Sequence, residues 1–171
     1  MDFVKRDAPS RRCPKGVVVN MSFGFPWSEA VNLGAEGLVK AGFFVSVSAG
    51  NKRNQASKRS PASAKGVCTV AATNARNGLA FYSNYGPEVD LLAPGTFIPS
   101  VRAKRRDTMF DTGTSMAAPH VSGLAAYLLG RGYKVKGLCE KMRNMGLHGV
   151  IRSRSRLEPG NNILINNGNK D

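Results

Sequence analysis

Eight consecutive residues, Gly113-Thr114-Ser115-Met116-Ala117-Ala118-Pro119-His120, carry the most chemistry in this sequence. They set a serine at a loop-to-helix junction ahead of an apolar run whose spacing predicts a helix over 115–129. A hydroxyl held over the free N–H groups of a helix start is well placed for a nucleophile. Gly113 lets the backbone turn tightly before it, Thr114 can hydrogen-bond locally, and Pro119 falls close enough to the helix start for its missing N–H to do little harm. A serine nucleophile also needs a base and a carboxylate to orient it, and the sequence holds two histidines. His120 follows Ser115 by five positions on the same helix, which turns it away from the hydroxyl and toward the packed side. His148 lies among polar and basic residues and reads as a surface side chain. The local pattern therefore offers a nucleophile without an evident base.

A frame must position that serine. Runs rich in Val and Phe at 17–22 and 43–49 flank a helix-like stretch at 28–41, with Ser28 as its N-cap and Gly42 as its stop, which makes one βαβ unit. Stretches 67–72 and 89–93 read as further strands, and 135–145 as another helix. The tail, 152–171, is polar and Asn-rich with one short apolar run at 163–165. The expected class is α/β with a mainly parallel sheet in one domain, its core over about 1–150 and a C-terminal segment over 151–171. Sites in such sheets gather beyond the carboxyl ends of the strands, where Ser22-Phe23-Gly24, Ser48-Ala49-Gly50 and Asn51 all fall.

The 42% apolar content is that of a globular chain and excludes disorder for most of it. Twenty-five Lys and Arg against 11 Asp and Glu leave a net charge of +14, dispersed over Lys5-Arg6, Arg11-Arg12, Lys52-Arg53, Lys58-Arg59, Lys104-Arg105-Arg106 and 152–156. Such a surface attracts polyanions, yet the dispersal and the lack of a nucleic-acid motif read as a solvated basic surface. No apolar stretch reaches the length of a membrane span, and the first residues, with Asp2, Lys5, Arg6 and Asp7, lack the apolar core of a signal peptide. No Cys/His spacing suits zinc.

Several segments together carry a resemblance. Val18-Val19-Asn20-Met21-Ser22-Phe23-Gly24, Ala49-Gly50-Asn51, Ser60-Pro61-Ala62-Ser63, Val67-Cys68-Thr69-Val70, Phe81-Tyr82-Ser83-Asn84-Tyr85-Gly86, Ala93-Pro94-Gly95-Thr96 and the serine motif stand in the order found in the subtilisin-like serine endopeptidases. The chain resembles that family, in its secreted proteinase K branch, closely from Met1 to about Leu129 and loosely beyond. The resemblance implies a subtilisin-like sheet flanked by helices, with Ser115 as nucleophile and polypeptides as substrates. Asn51 would be the oxyanion-hole amide, or else a turn residue after Gly50. Ser22, Phe23 and Gly24 with Ser48, Ala49 and Gly50 would bind the substrate main chain in extended form. It also implies a Cys68–Cys139 disulfide, with the partner of Cys13 outside the chain; three buried thiols are the alternative. Structural calcium would take Asp90 and the main-chain oxygens of Lys65 and Val67, although Lys65 repels a cation and Asp90 could simply bond nearby amides.

In that family the catalytic aspartate and histidine precede the stretch beginning here at Met1. The expectation is thus an incomplete, second-half protease, extracellular and monomeric when whole, needing no cofactor for catalysis and showing negligible turnover as this chain alone. A dead remnant or basic non-catalytic binding protein is the competing class. Phe25-Pro26-Trp27 replaces a glycine-rich stretch beside the cleft. Asp111 places a carboxylate near Ser115 that would need a basic partner, with 102–106 the nearest supply.

Overall fold

The computed structural model describes residues 1–105, 107–152, 157 and 161–168. A short helix, α1 (Asp2–Asp7), precedes β1 (Val18–Met21), and a two-residue strand, β2 (Phe25–Pro26), leads into α2 (Glu29–Lys40) and β3 (Phe44–Ser48). Ser28 takes the cap position of α2 in extended geometry, and Gly42 turns the chain out of it at φ +85°. β1 and β3 pair in parallel from Val18 opposite Phe44 to Met21 opposite Val47, which is the predicted βαβ unit. β4 (Arg59–Ser60) pairs antiparallel with β2, and β5 (Cys68–Thr73) and β6 (Leu91–Pro94) extend the main sheet in parallel. A separate antiparallel ribbon, β7 (Ile98–Val101) with β8 (Thr108–Asp111), is followed by α3 (Thr114–Gly130), α4 (Leu138–Met145), β9 (Leu147–His148) and β10 (Ile163–Leu164). The six-stranded sheet runs β1-β3-β5-β6-β10-β9, antiparallel only between β9 and β10. The fold is α/β, as the alternation of segments implies.

Every residue of β3 and β5 is buried, because helices cover both faces and each strand must be apolar or hydrogen-bonded all round. Phe44 joins the cluster under α3 while Val45 and Val47 pack with Ala35 and Leu38 of α2, the two-residue alternation of a strand. α3 crosses β1, β3, β5 and β6 with Ala117, Ala118, Val121, Ala125, Leu128 and Leu129 turned inward. The alanines let its backbone come close enough for the buried Ser46 hydroxyl to donate to the Ala118 carbonyl at 3.1 Å.

Several boundaries differ from expectation for local reasons. The last helix starts at Leu138, not 135, since Gly137 sits at φ +77° outside helical geometry. β6 starts at Leu91 because Val89 is bound in a turn to the Gly86 carbonyl. The apolar run at 163–165 proves to be a sheet strand, Leu164 pairing with Leu92. α1, β2, β4 and the β7–β8 ribbon were not predicted; they are short or solvent-facing, so burial imprints no periodicity on them. Among the described residues no helix is long and apolar enough to cross a membrane.

Cys68 of β5 and Cys139 of α4 form a disulfide, Cα atoms 5.8 Å apart and 71 positions apart in sequence, while Cys13 is exposed and free. Closing so long a loop restricts the unfolded chain. Replacing both cysteines (Cys68→Ser with Cys139→Ser) is expected to lower unfolding free energy by about 4 kcal/mol in urea titrations. A loss under about 1 kcal/mol would show that the bridge adds little to the packing already there.

Candidate active site

The carboxyl ends of β1 and β3 and the start of α3 converge on Ser115. Its hydroxyl donates to the Ser22 carbonyl at 3.0 Å, and the Ser22 hydroxyl donates back to the Ser115 carbonyl at 2.8 Å. The second bond has a cause in sequence. Pro119, the sixth residue of α3, has no N–H for the carbonyl four positions earlier, so Ser115 keeps a free acceptor inside the helix. The missing N–H is therefore not inconsequential, as its nearness to the helix start suggested; Ser22 fills the gap.

Asn51 is exposed and its side chain is oriented from below. Its carboxamide oxygen accepts from the Thr114 N–H at 2.9 Å and from the Thr114 hydroxyl at 2.8 Å. With the oxygen occupied, the amide N–H₂ faces Gly113, where an added Cβ would lie 3.0 Å from Nδ2. Buried Thr114 also accepts from the Gly50 N–H at 3.1 Å, so one hydroxyl ties the turn after β3 to the helix start. Gly50 adopts φ +103°, and a Cβ there would stand 2.5 Å from Asn84 Nδ2.

Asn84 was absent from the sequence-based candidates. Fully buried, it accepts from the N–H groups of Lys52 and Asn54 and donates to the Ala49 carbonyl, gripping the whole 49–54 loop. Apart from its place in the 81–86 segment that carries the resemblance, its sequence signal is an Asn-Tyr-Gly that reads as an ordinary turn. The Ser22, Phe23 and Gly24 carbonyls each have a partner: Ser115 Oγ, Ser48 Oγ at 3.3 Å and Arg59 Nη2 at 3.3 Å. Phe23, Phe25 and Trp27 are exposed beside them, the first two rings 5.8 Å apart.

On another flank, a hollow of about 300 Å³ is lined by Ile98, Pro99, Ser100, Ser115, Met116, Pro119 and His120. His120 is thus half-buried at this hollow instead of in the core, its Nδ1 2.8 Å from the Met116 carbonyl on its own helix. His148 is exposed on β9, as expected. Asp111 is also exposed; it ends β8 and accepts from the Thr112 N–H, so no charge is buried beside Ser115, and Arg102 pairs with Asp107 instead.

Asp90 lies far from this chemistry, beside the disulfide. One carboxylate oxygen accepts from the Thr69 N–H at 2.8 Å, and Arg143 stands 3.9 Å from the other while donating to the Asp90 main-chain oxygen at 2.8 Å. Arg143 also engages Glu140 at 3.3 Å. Cys68 and Cys139 approach Asp90 but are bonded to each other, which removes them as thiolate ligands. Gly66, Val67, Asp90 and Arg143 border a cavity of about 650 Å³, and the Lys65 N–H donates to Glu36. With one carboxylate already facing a guanidinium, these residues do not fit a cation that seeks six to eight oxygens.

Residues 9–145 match the subtilase family, peptidase S8, and the chain belongs to it. It is 55% identical to proteinase T of Parengyodontium album over 170 residues, covering 98% of this chain and 56% of that protein. It is 44% identical to the alkaline serine protease ver112 of Corniculantispora psalliotae over 154 residues, covering 90% of this chain and 40% of that one. The chain thus spans about half the length of the curated relatives it matches. A cold-adapted subtilisin-like serine proteinase superposes with a TM-score of 0.85 at 29% identity, covering 95% of this chain and 57% of that one.

One measurement probes the Thr114 network and a second the Asp90 environment. Thr114→Val keeps the shape but strips the Gly50 N–H and Asn51 of a partner, and is expected to cost about 1–3 kcal/mol by calorimetry; an unchanged melting temperature would show that the network is not needed. Burial pushes the Asp90 carboxyl up to about 6, against the Thr69 bond and Arg143. Its contribution to stability is therefore full below the unfolded carboxyl range and is lost as pH rises through about 6. Asp90→Asn should gain in melting temperature relative to the parent between pH 4 and 7, whereas a pH-independent difference would contradict the shift.

Proposed function

We propose that Ser115 is the nucleophile of a serine endopeptidase that cleaves polypeptides through an acyl-enzyme. The observation carrying this reading is the Asn51 amide, whose oxygen is held by Thr114 so that its N–H₂ remains a donor beside the helix start. In the reaction the Ser115 oxygen attacks the scissile carbonyl, and negative charge gathers on the carbonyl oxygen as the carbon becomes tetrahedral. A preorganised donor there contributes roughly 3–4 kcal/mol to the transition state. Collapse expels the amine, and water then releases the acyl group. The substrate main chain would lie along Ser22-Phe23-Gly24 and Ser48-Ala49-Gly50, with Phe23 as an apolar wall.

The serine proton needs an acceptor. His120 directs Nδ1 back to its own helix and His148 is exposed on β9, so neither is assigned as the base. We infer that the base and its carboxylate come from the rest of a longer protease, that this 171-residue chain turns over negligibly alone, and that the whole protein acts outside the cell as a monomer. The Cys68–Cys139 bridge supports an oxidising compartment. We infer also that Arg143, not calcium, balances Asp90.

A fluorophosphonate probe tests the reading. The isolated chain is expected to label at Ser115 no faster than a small serine peptide. A longer form carrying an Asp motif and a His motif should label rapidly, and Asn51→Ala in that form should slow peptide hydrolysis about 10²–10³-fold. Rapid labelling of the isolated chain would overturn the inferred need for an outside base. A longer form that never labels would point to the competing class, a non-catalytic basic binding protein.

A further inference from the structure

The β7–β8 ribbon stands apart from the main sheet and is anchored at its base, where the Gly113 N–H meets the Gly95 carbonyl at 2.8 Å and the Phe97 N–H meets the Thr112 hydroxyl at 2.9 Å. Its register pairs Pro99 with Phe110 and Val101 with Thr108, so these four share one face. All four are exposed, Val101 by 80% and Phe110 by 66%. A soluble protein seldom turns such a face outward without a use for it.

The two ends of the ribbon differ in chemistry. At the base, Ile98, Pro99 and Ser100 line the 300 Å³ hollow with Ser115. At the far end the turn carries Arg102, Lys104 and Arg105, all exposed, with Lys104 at φ +61°. Arg102 is paired with Asp107 at 3.7 Å, which pins the turn. Among the described residues, no carboxylate pairs with Lys104 or Arg105. β7 ends at Val101 and the chain turns back over 102–105, the Arg105 N–H meeting the Arg102 carbonyl at 3.3 Å, so Lys104 and Arg105 stand at the tip beyond the apolar face. None of Ser22-Phe23-Gly24, Ser48-Ala49-Gly50 or Asn51 borders the hollow, so the ribbon serves a different flank of Ser115.

We propose that this ribbon is a docking arm for acidic polypeptide segments. Apolar side chains of the bound segment lie on Val101 and Phe110, and its carboxylates beyond them pair with Lys104 and Arg105 at the tip. The proposal deepens, and rests on, the reading of Ser115 as an endopeptidase nucleophile: the arm selects substrates by acidic residues on the ribbon's flank of Ser115. Because the pairs are exposed, the selection is salt-sensitive.

The test is fluorescence anisotropy on the 171-residue chain with two labelled ten-residue peptides of one apolar centre, one flanked by glutamates and the other by glutamines. At low salt the glutamate peptide is expected to bind about tenfold more tightly, and the preference should vanish toward 0.5 M salt, roughly where the screening length falls within a contact pair. Lys104→Glu with Arg105→Glu should abolish the preference, and Lys5→Glu with Arg6→Glu, in the distant α1, should retain it. The salt titration needs no variant, so a misfolded double substitution does not stall the test. Equal affinities for the two peptides, or equal losses in both charge-reversed proteins, would overturn the docking arm. So would capture by anionic phosphatidylserine vesicles without any peptide preference. A docking preference in a longer form that never labels with fluorophosphonate would sink the nucleophile and spare the arm, and rapid labelling without preference would do the reverse.

Discussion

Pro119 cannot donate to the Ser115 carbonyl, and the Ser22 hydroxyl does so instead at 2.8 Å while receiving the Ser115 hydroxyl on its own carbonyl at 3.0 Å. This exchange fixes the start of α3 against the end of β1, two elements 93 positions apart in sequence. The remainder of the helix can then lie flat across four strands, because its inward face is built of Ala117, Ala118, Val121 and Ala125. A bulkier face would lift the backbone, break the Ser46 bond to Ala118 and pull the serine off Ser22. Position and packing are thus one constraint.

The polar network around Asn51 follows from that placement. Thr114, carried to the sheet by the helix start, bonds both Gly50 and Asn51, while Asn84 grips the loop from the other side. Thr114 and Asn84 are each satisfied within the network, and with its oxygen fixed by Thr114 the Asn51 amide is held in one orientation beside the helix start. Gly95 completes the support: its carbonyl accepts from Gly113 and from the Tyr82 hydroxyl, and a Cβ there would stand 2.6 Å from Ala72.

The opposite end of the sheet is organised by a different compromise. Burial pushes the Asp90 carboxyl up to about 6, with one amide, one guanidinium and an adjacent disulfide around it. α4 contributes both Arg143 and Cys139, so a short helix of eight residues is held to the body by a covalent bond and a charge. The chemistry end relies on hydrogen bonds between neighbouring turns; this end relies on a bridge and a cation.

Much was legible in the residues alone. The strand-helix-strand rhythm, the Val- and Phe-rich run at 43–49, the serine at a helix start and the small residues beyond β1 and β3 are local or periodic features, and periodicity is set by the chain's own geometry. What only the tertiary structure decided are contacts between segments distant in sequence. Ser22 as the partner of the Pro119 gap, Asn84 as the clamp of the 49–54 loop, Arg143 as the neighbour of Asp90 and His120 at a surface hollow all depend on which turns meet. Short exposed pieces such as α1 and the β7–β8 ribbon escaped for the complementary reason: with little burial they carry no apolar period, and the ribbon is revealed only by its pairing across a turn. A hydroxyl or amide announces that it will bond, and the fold alone chooses the partner.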